Sequence, residues 1–163
     1  MLPTPPTTEL ITFFSSMLPG LELRLGIPLG ISLGLGPIQA FIIGTLGNLI
    51  PAFFILKLLD PIVTLLRKHL KFMDRFFTIL FDKTRDKHTE KFAKYGKVFI
   101  IFFVAIPLPG SGAWTGSLIA YLFGVKYWQA ILLISLGVII AGILVTTGFG
   151  SLHALFTNLH QNL

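Results

Sequence analysis

Residues 10 to 56 carry two formally charged side chains, Glu22 and Arg24, and residues 98 to 163 carry one, Lys126. Stretches of that length without a polar face cannot present a wettable surface, so water is the wrong solvent for both halves of the chain. Of 163 residues, 53% are hydrophobic and 12% are charged, about half the charge of an ordinary globular domain. The rest of the charge is concentrated. Lys57 to Lys97 holds eleven Lys/Arg against five Asp/Glu, a local net charge of +6 that equals that of the whole chain. A basic segment flanked on both sides by membrane-length apolar runs reads, by the positive-inside rule, as a cytoplasmic loop rather than a nucleic-acid patch. The expected class is therefore an all-α integral membrane protein forming a single membrane domain over residues 1–163, with membrane lipids as partners and no nucleic acid. The absence of cysteine removes disulfides, thiolate metal sites and a cysteine nucleophile.

Along the chain, Met1 to Glu9 lacks the basic start and small-residue cleavage site of a secretory signal and is expected to be a disordered tail. Leu10 to Leu35 is apolar but broken at Pro19-Gly20, and Ile38 to Leu56 is long enough to cross a bilayer. Asp60-Pro61 supplies a helix cap followed by proline at the first helical position, so a new helix is expected there. Its Lys/Arg positions alternate with Leu/Phe at a period near 3.6. That pattern suits a helix lying in the membrane interface or one packed on the protein's own spans. Lys83 to Lys94 reads as a solvated helical connector. Val98 to Phe123 is the second broken apolar stretch, Tyr127 to Phe149 the second span, and 151–163 a C-terminal tail.

Slid by ninety residues, the sequence matches itself without a gap. Leu18-Pro19-Gly20 meets Leu108-Pro109-Gly110, and Gly26, Gly34, Gln39-Ala40, Leu46-Gly47 and Ile50 meet Gly116, Gly124, Gln129-Ala130, Leu136-Gly137 and Ile140. Each copy, 10–56 and 98–150, is one broken segment followed by one unbroken span, with the basic insert 57–97 between them. If the broken segments enter the bilayer and turn back, Lys57, Lys97 and Lys126 all lie on one side. Each copy then crosses once, which makes an inverted repeat of a re-entrant helical hairpin plus a transmembrane helix. The alternative is a pair of kinked spanning helices. Pro-Gly in both copies frees backbone groups that lipid cannot satisfy, so both breaks should face protein or a water-filled cavity.

Glu22 and Arg24 each cost on the order of 3 kcal/mol at the bilayer centre and mark a protein-lined break. Two positions apart on a helix they cannot pair with one another, so either the segment is locally unwound after Pro19-Gly20 or each finds a partner elsewhere; the alternative is that both sit near the interface and snorkel. The equivalent second break, Pro107, Pro109, Gly110, Ser111, Gly112 and Trp114, is uncharged, and Ser111 is placed to cap a half-helix beginning near Gly112. Two half-helix ends facing each other would favour an anion, with Arg24 adding charge and Glu22 a candidate for proton coupling. Pro19, Gly20 and Pro28 belong to the same break, and Asn48 in the first span is a pathway residue or interhelical glue. Trp114, Tyr121, Tyr127 and Trp128 suit interface anchoring or packing. His69, His88, His153 and His160 have no metal-ligand spacing, and no nucleophile set, phosphate loop or carboxylate pair is present, so neither enzyme chemistry nor a cofactor is expected.

Glu22-Leu23-Arg24 with Ile27-Pro28, and Pro107-Leu108-Pro109-Gly110-Ser111-Gly112-Ala113-Trp114-Thr115-Gly116, give the chain a sequence that resembles the small multi-drug export proteins over roughly residues 10 to 150. More distantly it is similar to the DedA and VTT superfamily, whose members carry two re-entrant hairpins and are implicated in lipid transport and scrambling. The resemblance implies a multi-pass inner-membrane protein of a prokaryote, with Glu22, Arg24, Pro28 and Pro107 to Gly116 as its functional positions. The second break holds no arginine, a departure from the DedA pattern of paired basic residues. Three readings follow: a transporter moving a small or anionic substrate, coupled to a proton or other ion; a lipid flippase or scramblase; and a membrane scaffold that recruits a partner. A homodimer is expected for so small a bundle.

Overall fold

The computed structural model describes the backbone of residues 6–69, 71–108 and 110–161, and side chains over 6–65, 75–108 and 110–151. Every regular element among them is helical: α1 (Pro6–Met17), α2 (Glu22–Ser32), α3 (Pro37–His69), α4 (Lys71–Tyr95), a 3-10 turn (Gly96–Val98), α5 (Phe99–Ala105), α6 (Ala113–Leu122) and α7 (Tyr127–Gln161). Two of them are long and apolar enough to cross a membrane, over Pro37–Leu65 and Tyr127–Ser151, with mean hydropathies of 1.9 and 2.6.

The first break turns the chain back on itself. Gly20, at φ +86, sits in the turn after α1, a backbone conformation that favours glycine. Beyond it α2 runs antiparallel to α1. A Cβ on Gly26 would overlap the Ser16 side chain, and one on Gly30 would lie 2.5 Å from Thr12 Oγ1. Thr8, Thr12 and Ser16 form a buried stripe one helical turn apart on α1, and it is the glycines opposite that let the two backbones approach. α3 closes on the same stripe, since a Cβ on Gly44 would lie 3.2 Å from Ser16 Oγ, and on its flank a Cβ on Gly47 would overlap the Phe13 carbonyl oxygen.

The second half is built in the same way. Val104 of α5 faces Gly116 of α6, and Gly137 of α7 approaches the Ile101 carbonyl as Gly47 does that of Phe13. The ninety-residue offset also recurs in the hydrogen bonds. Leu33, Gly34, Leu35 and Ala40 donate to Leu29, Ile31, Gly30 and Gly36, while Phe123, Gly124, Val125 and Ala130 donate to Ile119, Tyr121, Ala120 and Lys126. In each set, glycine in the left-handed region, Gly34 at φ +98 and Gly124 at φ +64, closes a Schellman cap.

The buried core mixes alanines and Ser117 with Ile, Leu, Val and Phe side chains, and large apolar residues also cover the surface. Ala40, Ala52, Ala113, Ala120, Ala130 and Ser117 are buried, whereas Phe14, Ile38, Phe54, Trp128, Leu132 and Ile143 are exposed. Such an apolar surface is unlike that of a water-soluble domain. It suits a bundle whose outer solvent is lipid, where close backbone approach replaces hydrophobic burial as the reason helices associate.

Several expectations about element ends need correction. No helix starts at Asp60-Pro61: α3 runs continuously through Pro51 and Pro61 to His69. Asp60 does not cap that helix; its Oδ1 accepts from the Tyr121 hydroxyl at 2.9 Å. α1 begins at Pro6, inside the stretch expected to be a tail, and α7 extends to Gln161, inside the expected C-terminal one. Met1 to Pro5 lie outside the described residues, as do Pro109 and the side chains of Arg67, Lys68, His69, Lys71, His153 and His160.

Candidate functional site

Just past the two turns, the start of α2 and the start of α6 meet inside the bundle. Glu22 opens α2 with φ +49, a left-handed conformation costing a residue with a Cβ about 1–2 kcal/mol. Its carboxylate accepts from the backbone N–H of Trp114 in the first turn of α6. There it fills the space in which Gly112 lacks a Cβ, and any side chain at Gly112 would overlap it. Gly112 itself is at φ 154 and ψ −170, a region essentially reserved for glycine. Among the described residues Glu22 is the one acidic side chain that is buried, at 8% exposure. Its charge is met by the Arg24 guanidinium and then by the unsatisfied amides and positive dipole end of α6.

Around this contact lies a cavity with room for about one water molecule. Glu22, Leu23, Arg24, Asn48, Val104, Pro107, Ser111, Gly112, Val138 and Ala141 line it. Arg24 reaches back to its own turn, donating from Nε (3.2 Å) and Nη2 (2.8 Å) to the Gly20 carbonyl. Its Nη1 is buried without a partner. Asn48 is 2% exposed and its Oδ1 is likewise unpartnered. The Trp114 indole N–H donates to the Met17 carbonyl at 3.1 Å, a second tie between the tips.

Of the residues singled out from sequence, Glu22, Arg24, Asn48, Pro107, Ser111 and Gly112 come together on the cavity, with Trp114 binding its two sides. Pro19, Gly20 and Gly110 form the exposed turns, and Pro28 lies inside α2 away from the cavity. The predicted Ser111 cap does not exist. Its hydroxyl donates to the Ile106 carbonyl (2.6 Å) and accepts from the Leu108 N–H (3.1 Å), closing its own loop. α6 has no side-chain cap from its own residues, and the anion at its N-terminus is the carboxylate of Glu22.

Val138 and Ala141 were missed, though the repeat points to them. At the ninety-residue offset they correspond to Asn48 and Pro51, and Gly112 corresponds to Glu22. Leu23 and Val104 carry no signal beyond being apolar.

At the other end of the bundle, Lys97 Nζ donates to Gln129 Oε1 at 2.8 Å, placing the entry to α5 beside the first turn of α7. α4 covers this end. His88 is buried between Phe99 and Phe103, with ring centroids 5.8 and 5.0 Å away, and Phe92 stacks on Phe123 at 4.2 Å. Burial, then Lys87 and Lys91, hold the His88 imidazole below its ordinary pKa of 6.5.

No curated protein and no solved structure matches the chain. A family model described as "Putative small multi-drug export protein" matches residues 22–144. That is three quarters of the sequence, from the cavity's carboxylate to just past Ala141. The chain, a membrane protein by its apolar helices and this match, belongs to the small multi-drug export family.

Proposed function

We propose that the protein is a transporter whose substrate passes between the tips of two re-entrant hairpins, α1–α2 and α5–α6, related as an inverted repeat. Several observations support the hairpins. With 12, 11, 7 and 10 residues, none of these helices reaches across a hydrocarbon core of ~30 Å; the longest spans ~18 Å. The bonds Lys97 to Gln129 and Tyr121 to Asp60 gather the start of α5, the last turn of α6, the first turn of α7 and residue 60 of α3 at one end of the bundle. Lys126, one residue before α7, shares that end with Lys97, as a cytoplasmic side for 57–97 requires. Repeat-equivalent positions touch only on the axis that relates the copies, and Glu22 touches Gly112. Asn48 and Val138 lie eleven residues, ~16 Å, into their helices, which supports a cavity near the midplane if the two helices enter from opposite sides.

The observation that carries the reading is the buried Glu22 carboxylate on the N-terminus of α6, in a cavity with unpartnered polar atoms from Arg24 and Asn48. A small substrate entering there exchanges with fixed polar groups rather than with lipid. Flux of a fluorescent drug from proteoliposomes tests it, comparing the wild type with Glu22→Gln and Arg24→Ala. Loss of flux in both variants is expected, and undiminished flux in both would refute the site.

A second reading, a lipid flippase or scramblase, is favoured by the outer face of α4. Phe76, Ile79 and Leu80 are exposed there beside Arg75 and Lys83, a surface that suits anionic headgroups. Dithionite quenching of labelled lipid in the same vesicles separates the two. Full protection of the inner leaflet rejects scrambling.

A further inference from the structure

We infer that the site takes an oxyanion together with a proton, because Glu22 occupies, as an ion, the place on α6 that an oxyanion needs and has a second resting place when protonated. The inference rests on the transport reading and names its substrate class.

As a carboxylate, Glu22 is the anion at the α6 N-terminus, accepting from the Trp114 N–H. An external oxyanion cannot enter while it is there. The cavity has room for about one water, and the Gly112 backbone is closed off by the carboxylate itself. Once protonated, Glu22 gains an O–H that α6, which offers donors only, cannot accept. Asn48 Oδ1 is an unpartnered, fully buried acceptor on the same cavity. The protonated carboxyl rotates from α6 to Asn48, and the amides of the first turn of α6 are vacated.

What remains then is a built anion site. It has the free N–H groups of a ten-residue helix, the unpartnered Nη1 of Arg24, and the volume the carboxyl has left. The charges balance, since one proton bound by Glu22 offsets one oxyanion taken up. No other ionisable group intervenes. Among the described residues Arg24 is the one further charged residue on the cavity, and α3, α5, α7 and the loop before α6 contribute Asn48, Ser111 and apolar or glycine positions to it. Linkage makes the coupling reciprocal, so the oxyanion binds more tightly as pH falls, and its binding draws a proton onto Glu22.

The ligand chemistry, a monoanionic oxyanion, is shared by a free solute and by a phospholipid headgroup. Dimethyl phosphate is a suitable probe because its own charge is constant from pH 5.5 to 7.5. Isothermal titration of the purified full-length protein is expected to show binding at least tenfold tighter at pH 5.5. Glu22→Gln, isosteric and permanently neutral, is expected to bind at both pH values with the acid-form affinity. Asn48→Leu, which removes the second resting place, is expected to lose the gain at low pH. Equal wild-type affinity at both pH values, or no binding by a Glu22→Gln protein that elutes as the wild type does, would overturn the inference. Displacement of the probe at pH 5.5 by phosphatidylglycerol nanodiscs but not by phosphatidylcholine ones assigns the oxyanion to a headgroup; its absence assigns it to a free solute. Flux that depends on Glu22 without acid-enhanced binding leaves the transport reading standing and removes this one.

Discussion

Replacing Gly112 by alanine tests the contact on which the site is built. The new Cβ meets the Glu22 carboxylate and must expel it from the α6 N-terminus. Losing a hydrogen bond to an ionised acceptor costs about 1.5–3 kcal/mol. Holding alanine at φ 154 and ψ −170 costs a further ~1–3 kcal/mol. Gly112→Ala should therefore destabilise the fold by about 4 kcal/mol. Gly110→Ala, at φ +82 with nothing within 4 Å of its Cβ, should cost only the ~1 kcal/mol of backbone strain.

A double-mutant cycle separates strain from expulsion. In a Glu22→Ala background there is no carboxylate to displace, so Gly112→Ala retains only its strain. The cycle should give a coupling of about 2 kcal/mol between the two positions. Equilibrium unfolding of the purified protein in mixed micelles with increasing dodecyl sulfate measures all four corners. Additivity within about 0.5 kcal/mol would mean that Glu22 does not occupy the space Gly112 leaves, and the proposed site would lose its central contact.

Three further outcomes follow from the packing. His88 is held neutral in the fold, so the unfolded or undocked state binds more protons just below pH 6.5; docking of α4 should weaken as pH falls through that range, and His88→Phe should abolish the effect. The mobility of a spin label at position 91, introduced into a chain without native cysteine, reads this between pH 7.5 and 5. Gly137→Ala, whose Cβ would sit 2.9 Å from the Ile101 carbonyl and 2.7 Å from Val104, should cost ~1–3 kcal/mol in the same unfolding assay, whereas Gly148→Ala, in open space, should be neutral or stabilise by up to ~1 kcal/mol. Tyr121→Phe removes the hydroxyl from Asp60 at an exposed position and should cost no more than about 1 kcal/mol, leaving flux unchanged.

The sequence makes some of this legible because backbone chemistry repeats with the residues that need it. Leu18-Pro19-Gly20 and Leu108-Pro109-Gly110 announce two breaks, and Gly34 and Gly124 announce two helix ends that the structure closes with the same hydrogen bonds. Where the reading fails, a local signal was outweighed by packing. Asp60-Pro61 is a good helix start in isolation, but α3 runs on through Pro61 as one helix, and Tyr121 claims the aspartate. Ser111 looks like a cap, yet a loop with proline at 107 has carbonyls of its own to satisfy, and the hydroxyl turns to Ile106. Nothing in the residue types foretells that Glu22 adopts φ +49, which aims its side chain across to α6.

That aim also explains why the two copies differ where they meet. On the inverted-repeat reading, Glu22 and Gly112 sit on the axis, and whatever stands at one position faces its equivalent across it. Two glutamates there would bury two like charges in one small cavity, and two glycines would leave the N-terminus of α6 without an anion. One of each satisfies the helix end with a single carboxylate that has space to sit. Asn48 and Val138 differ in the same way, which leaves the cavity with one buried amide. Packing in the two halves remains alike because backbone approach is needed at every glycine contact, while on that reading the buried Glu22 and Asn48 stand in one copy because the cavity has room for one such pair.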